Sequence, residues 1–458
     1  MSSKRPLSRR AFLAGAAASA AGVRLAGSAL GQTTEAAGRR RPNVLLIVSD
    51  DQGYADASCY DHPPEVSTPN IDRIAQGGVR LTDGYASAWV CAPTRAGLLT
   101  GRYQQRYGFY TAGNSRIGMP LTEITVADVL KKAGYATGAF GKWHLGIEPD
   151  YHPLRRGFDE FYGFLGHGGH DYFDLRVTDA YTSIYRNDKP IEETGYLTDN
   201  LTREAVSFIE RHHQRPFFLY LPYSAVHWPL QAPEEDVRRF DTGDPERDIY
   251  LAMLARMDDG IGKVLDALER AGVDDNTLVF FLSDNGGARK NHADNGVLRD
   301  YKQSAYEGGI RVPFIVRWPG KLPAGTVCSE PIICLDVMPT VLAAVGLELP
   351  GDRVYDGRDM LPVIRGEAEQ PLHEALFWDG DSDQWAVRSG KWKLVSRRGS
   401  LELYDLEADI GETDDLTDDN PQVVDRLRRA YVAWRDQMAP QITREGRAGS
   451  PGRRRPER

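Results

Sequence analysis

Residues 41–53 read RPNVLLIVSDDQG, and the fold turns on how this stretch is read. The run 43–48 is apolar without alternation, bounded by Pro42 on one side and by acids on the other. Such a run predicts a strand buried on both faces, as in a parallel sheet. Its carboxyl end delivers two adjacent carboxylates, Asp50 and Asp51.

Four later stretches carry a helix followed by a strand. In 68–86, TPNIDRIAQGGVRLTDGYA, a helix ends at Gly77–Gly78 and a strand follows. In 121–146, LTEITVADVLKKAGYATGAFGKWHLG, Thr125 is an N-cap, the helix ends at Gly134 and a strand runs to Phe140. The segment 201–230 repeats the theme, with its strand at 217–221, and 253–287 places a long amphipathic helix before a strand at 278–282. This alternation predicts an α/β sheet with helices on both faces. After about residue 370 the pattern changes to short alternating strands (EALFWDG, WAVRSGKWKLVSR, LELYDLEAD) and a helix, NPQVVDRLRRAYVAWRDQM. That predicts a small antiparallel α+β subdomain over 371–440, behind a catalytic domain over 41–370. Residues 441–458 lack apolar periodicity and read as a disordered tail.

The composition is that of a globular chain: 41% hydrophobic and 26% charged over 458 residues, enough for a large core. A net charge of −9 argues against nucleic acid as a partner. The N-terminus, SRRAFLAGAAASAAG, sets Arg9 and Arg10 before a short Ala-rich apolar run. This fits a twin-arginine export signal over residues 1–32, with the translocase as partner and a periplasmic or secreted destination. Removing its five cations leaves a mature chain near −14. No stretch approaches 18 apolar residues, so no stable membrane anchor is expected. Four cysteines (59, 91, 328 and 334) do not make a disulfide framework, although Cys328 and Cys334 are close enough in sequence to pair.

Ligands in open α/β sheets bind beyond the carboxyl ends of the strands. Four predicted strand ends deliver polar groups there: Asp50 and Asp51, Lys142 and His144, His227, and Asp284 with Asn285. Three carboxylates and a carboxamide form a hard-oxygen set suited to Ca²⁺ or Mg²⁺. In GKWHLG, extended backbone puts Lys142 and His144 on one face, where an ammonium and an imidazole suit an anion in proton transfer. His227 precedes Trp228–Pro229, and Lys302 lies five residues before EGG in a loop leading to another strand, 312–318. In 90–102, VCAPTRAGLLTGR, Pro93 suits the first turn of a helix, so Cys91 sits at its positive end. Arg95, one turn on, adds a forked donor for a tetrahedral oxyanion.

Taken together, these motifs resemble the type I sulfatases of the alkaline phosphatase superfamily, whose signature Cys-x-Pro-x-Arg followed by Thr-Gly-Arg is matched by CAPTRAGLLTGR. Thr94 stands where Ser is commoner. The resemblance, over about 41–438, implies a large mixed, mostly parallel sheet sandwiched by helices. It implies conversion of Cys91 to formylglycine (3-oxoalanine) by a formylglycine-generating enzyme. It implies one Ca²⁺ held by Asp50, Asp51, Asp284, Asn285 and residue 91. Arg95 would hold the formylglycine hydrate, Lys142 and Lys302 the sulfate oxygens. His227 would protonate the leaving alcohol, with Lys302, and His144 would take the proton that lets sulfate leave. The implied substrate is a sulfate ester, on carbohydrate or an aryl group. Hydrolysis of a phosphonate or phosphodiester is the alternative. For the substrate wall, His167, His170 and Asp171 in GFDEFYGFLGHGGHDYF, and Trp378 and Asp379 in FWDGDSDQW, are the expected contacts.

Overall fold

In the computed structural model, residues 41–60, 63–166, 168–380 and 382–443 are described. The expected signal at 1–32 and all but 441–443 of the expected tail lie outside them. The described residues belong to one compact unit.

The strands are β1 (Asn43–Ser49), β2 (Val79–Leu81), β3 (Gly84–Tyr85), β4 (Ala136–Lys142), β5 (Glu160–Phe164), β6 (Ile184–Arg186), β7 (Lys189–Ile191), β8 (Phe217–Pro222), β9 (Thr277–Ser283), β10 (Phe314–Arg317), β11 (Thr326–Cys328), β12 (Ile332–Ile333), β13 (Leu376–Asp379), β14 (Gln384–Ser389), β15 (Trp392–Arg397) and β16 (Ser400–Asp405). The helices are α1 (Pro69–Gln76), α2 (Cys91–Thr100), α3 (Val126–Lys132), α4 (Leu197–His212), α5 (Glu234–Val237), α6 (Pro245–Arg270), α7 (Glu307–Ile310), α8 (Val337–Val345), α9 (Leu361–Ile364) and α10 (Pro421–Arg435).

Ten strands form one sheet in the order β11-β2-β10-β9-β1-β8-β4-β5-β6-β7. Its centre, β9-β1-β8-β4-β5, is parallel, while β10, β6 and β7 enter antiparallel. Every residue of β1 is buried, as its unbroken apolar run requires. Successive side chains alternate between two cores. Val44, Leu46 and Val48 pack with residues of α2, α3 and α8. Leu45 and Ile47 pack with residues of α1, α4 and α6 on the other face. The fold is the helix-covered sheet of the alkaline phosphatase type.

Thr125 caps α3, accepting from the Asp128 N–H, while the Asp128 carboxylate accepts from the Thr125 N–H at 2.9 Å. The strand after α1, β2, lies outside the parallel centre and pairs antiparallel with β10. One feature departs from the sequence reading. The segment expected to be a pocket wall contains β5, which extends the sheet, because FYGF buries both faces. The C-terminal residues form the expected antiparallel sheet β13-β14-β15-β16, whose small core of Val387, Leu394 and Leu403 is covered by Val424 and Leu427 of α10. Cys328 and Cys334 are both free thiols, and Cys334 lies in the main core.

Gly141 precedes Lys142 at φ 141°, and a Cβ there would lie 1.8 Å from the Pro222 carbonyl oxygen. Only glycine permits this approach of β4 to β8. Gly141→Ala is expected to lower stability by about 3 kcal/mol or more, read as a fall in the denaturant midpoint. An unchanged midpoint would contradict the packing described.

Candidate active site

The site is built by strand register. β1 and β9 run parallel with Ser49 opposite Ser283, so the residues that follow each strand emerge side by side. The Asp284 N–H donates to the Ser49 carbonyl (3.1 Å), and the Asp51 N–H donates to Asp284 Oδ1 (3.3 Å). Asp51 adopts φ 62°, off the extended backbone that would send neighbouring side chains to opposite faces, and one oxygen each of Asp50 and Asp51 lies within 4.8 Å of the other and of a His227 ring nitrogen. Asp50, Asp51, Asp284 and Asn285 are all buried.

Three cations meet these carboxylates. Arg95, one turn into α2 and fully buried, donates from Nε to Asp284 Oδ2 (2.9 Å) and from Nη1 to the Lys142 carbonyl (3.0 Å). Lys142, the last residue of β4, bonds Asp50 Oδ2 through Nζ. Lys302 Nζ reaches Asp51 Oδ1 at 2.5 Å. Burial pushes the Asp51 carboxyl up, yet Lys302, His227 and Lys142 outweigh it and hold it well below the usual carboxylate range. Burial, with the neighbouring Asp50 charge, pushes Asp284 up to about 6. Burial opposes the Lys302 charge, but Asp51, Cys91 and Asp50 keep the ammonium firmly protonated.

Cys91 is the first residue of α2, and its Sγ lies with oxygens of Asp50 and Asp284 in a group whose atoms are within 4.8 Å of one another. Burial pushes its thiol up, so the unmodified residue is a poor nucleophile. Asp50 Oδ1 and Asn285 Oδ1 are buried acceptors with no hydrogen-bond partner among the described residues. Two orphaned hard oxygens beside further carboxylates fit a dication, because such atoms are costly to bury unsatisfied.

His227 follows β8. Its Nδ1 faces the Trp228 carbonyl at 2.6 Å, which aims Nε2 at Asp51 Oδ2, 3.4 Å away. Burial lowers the imidazole to about 4, only partly offset by Asp51, so Lys302 is the charged member of this pair at neutral pH. His144 is buried as well, but at φ 61° rather than on the extended backbone expected; the chain turns immediately after β4. Cys91, Arg95, Lys142, His227 and Lys302 are thus gathered around the carboxylates, and His144 is buried two residues beyond Lys142.

The expected substrate wall is corrected. His167 lies outside the described residues. Both ring nitrogens of the buried His170 are engaged by the carbonyls of Asp171 and Thr182. Asp171 accepts from the N–H groups of Phe173 (2.9 Å) and Asp174 (2.7 Å) and from Gln231 Nε2 (3.0 Å), so it closes a turn. Trp378 is fully buried and donates from Nε1 to the Ala86 carbonyl, and Asp379 binds Tyr431 and Arg435. Trp378 thus ties β13 to the chain just after β3, and Asp379 ties it to α10, so their polar atoms are spent on the protein's own groups.

Two contributors escaped the sequence reading. Asn291 donates to Asp51 Oδ2 (3.3 Å) and to the Val226 carbonyl (3.0 Å), bridging the metal loop and the His227 loop. Gln384 of β14 donates to the Gln303 carbonyl (2.7 Å) and accepts from the Ala305 N–H (3.2 Å), gripping the segment just after Lys302. The C-terminal sheet holds the far end too: Glu412 accepts from the Glu307 N–H, and Arg299 donates to Tyr404 and the Glu412 carbonyl. Neither residue sits in a recognisable motif, and no spacing marks it.

With this geometry in place, relatives can be compared. The family described as Sulfatase matches residues 42–347, two thirds of the chain. The chain belongs to the sulfatase family. It is a sulfuric ester hydrolase. A second match, described as N-sulphoglucosamine sulphohydrolase, C-terminal, covers 299–437 and so includes the Lys302 loop with its clamp. Steryl-sulfatase of Mus musculus is 34% identical, with 88% of this chain and 83% of that protein aligned. N-acetylgalactosamine-6-sulfatase of Canis lupus familiaris is 36% identical over 77% and 71%. Among solved structures, Ps i-CgsB in complex with k-i-k-neocarrahexaose superposes with a TM-score of 0.83 at 36% identity, covering 87% of this sulfatase and 94% of that chain.

Gln384→Ala removes both hydrogen bonds behind Lys302. It is expected to lower kcat for an aryl sulfate about tenfold, the scale of two modest hydrogen bonds, while the thermal midpoint moves little. Unchanged kcat would show that Gln384 only closes the surface.

Proposed function

We propose that this sulfatase hydrolyses sulfate esters of carbohydrates, and aryl sulfates, using a formylglycine made from Cys91 and one calcium ion. One observation carries the reading: the buried Cys91 at the start of α2, its thiol pushed up by burial, lies within 4.8 Å of carboxylate oxygens of Asp50 and Asp284, in a cluster that also holds orphaned acceptors on Asp50 and Asn285. That arrangement suits neither a thiolate nucleophile nor a structural cysteine. Asp50, Asp51, Asp284 and Asn285 would hold the calcium, which when bound supplies Lewis-acid polarisation and charge neutralisation. Converted to formylglycine and hydrated, residue 91 would carry two hydroxyls on one carbon: one would bond to sulfur as the ester S–O bond breaks, and the other, on losing its proton, would re-form the aldehyde and release sulfate by breaking the carbon–oxygen bond, without attack by water on sulfur.

The chain's own side chains do the rest. Lys142 and Lys302 would hold the sulfate oxygens and draw negative charge toward themselves as the S–O bond breaks. Arg95, fixed on Asp284 and the Lys142 carbonyl, keeps residue 91 oriented against the metal set. Lys302 and His227 would face the leaving oxygen together and deliver its proton. His144 would accept the proton of the residual hydroxyl at position 91. Carbohydrate is favoured by relatives named for N-acetylgalactosamine and for a carrahexaose complex. Export by the twin-arginine route is proposed from Ser8-Arg9-Arg10 and the Ala-rich run that follows. A formylglycine-generating enzyme would act on the chain first.

Mass spectrometry of the active protein should show the peptide containing residue 91 lighter than encoded by about 18 Da. Cys91→Ala should lose turnover by at least about a thousandfold. Full activity with an intact thiol would overturn the mechanism, and faster cleavage of phenyl phosphonates than of phenyl sulfates would favour the alternative ester. Chelation followed by dialysis should abolish turnover, with recovery on Ca²⁺ but not on buffer; activity that survives chelation would refute a metal role. Replacing Arg9 and Arg10 by Lys should leave the protein in the cytoplasmic fraction, and unaltered export would exclude that route.

A further inference from the structure

Two cation–aromatic pairs adjoin site residues, and the chemistry at sulfur does not use them. Trp228 follows His227 directly and is 47% exposed, unusual for so large an apolar ring. Lys290 Nζ sits 3.6 Å from its ring centroid. Tyr301 precedes Lys302 directly, and the Arg289 guanidinium stacks 4.3 Å from its centroid. Each aromatic thus neighbours one of the two groups assigned to the leaving oxygen, and each carries a cation. The two cations are adjacent in sequence.

Their placement is determined by the buried site. Arg289, Lys290 and Asn291 form one 3₁₀ turn. Asn291 at its end is buried and bonded to Asp51 and the Val226 carbonyl, so the turn is pinned to the metal cluster. Lys302 is tied in from the other side, its N–H donating to the Gly287 carbonyl at 2.9 Å. The two preceding residues project outward: Arg289 is 76% exposed in its side chain, with only a distant contact to Asp300 (3.9 Å), and Lys290 is exposed. Among the described residues Lys290 makes no ion pair within 4.0 Å. In a chain of net charge −9, two outward cations anchored to the catalytic cluster form a local positive field where the alcohol must exit.

We infer that Arg289 and Lys290, backed by Tyr301 and Trp228, form a subsite for a second oxyanion, sulfate or carboxylate, on the alcohol part of the substrate. The substrate class is then a multiply anionic sugar, not a singly sulfated one. This rests on the assignment of His227 and Lys302 to the leaving oxygen. Stacking restrains both cations without removing their charge, so less freedom is lost when an anion binds. An isolated sulfate would not reach them, because the central anion lies inward at Lys142 and Lys302.

The test compares wild type with Arg289→Gln/Lys290→Gln on 4-nitrophenyl sulfate and on 3- and 4-sulfooxybenzoate, whose leaving ring carries a carboxylate. Leaving-group reactivity cancels in the wild-type to variant ratio for each ester. The fall in kcat/KM should be about tenfold greater for a carboxylated ester than for 4-nitrophenyl sulfate, and should shrink as salt is raised. A sulfonated analogue, 4-sulfophenyl sulfate, distinguishes recognition of any oxyanion from recognition of carboxylate alone. Equal falls for all esters, or no fall for any, would overturn the subsite while leaving the hydrolase reading intact. No turnover of any ester by the wild type would sink that reading, and the subsite with it.

Discussion

The structure depends on one electrostatic constraint. The in-register pairing of β1 with β9 forces Asp50, Asp51 and Asp284 into a single buried cluster. Three carboxylates brought together without water repel each other strongly, and the site survives only because cations are aimed at them. Arg95, Lys142 and Lys302 each arrive from a different element, and each takes a different carboxylate. Two of these charges, Lys142 and Lys302, are also the ones proposed to receive the anionic ester. Folding and binding therefore use one set of groups.

This shared use explains where rigidity is concentrated. Helix α2 is buried along its whole length, so the residue at its start cannot drift from the carboxylates. Lys302, by contrast, sits on a loop with no sheet of its own. The C-terminal sheet supplies what the loop lacks, through Gln384, Tyr404 and Glu412. That small sheet is thus part of the active site without contributing a reacting atom. Beneath it, a buried network of Asp83, Glu307, Arg311, Arg388 and Lys393 locks it to the larger sheet.

Much of the site was legible because its residues fall at the ends of buried strands, and buried strands announce themselves as unbroken apolar runs. Asp50 and Asp51 after NVLLIVS, and Asp284 and Asn285 after TLVFFLS, are of this kind. Cys91 and Arg95 were legible for another reason: proline at the third position and one helical turn of spacing set their relation locally. His170, Asp171, Trp378 and Asp379 misled because polar and aromatic residues in a loop look alike whether they face a ligand or satisfy a buried backbone. Only the partners decide, and here those partners are the carbonyls of Thr182 and Ala86 and the side chains of Gln231, Tyr431 and Arg435.

Local periodicity and capping were enough for the long buried strands β1, β8 and β9, the helix beginning at Cys91 and the inventory of charged groups, but not for the short buried strand β5. The sequence by itself did not determine which strands are neighbours. That β1 lies between β9 and β8, that β2 crosses to pair with β10, that Asn291 reaches Asp51 and that Gln384 grips the residues after Lys302 are decided only in three dimensions. The physical reason is that sheet order and side-chain partners are settled by the joint burial of distant segments, to which no short window of sequence has access.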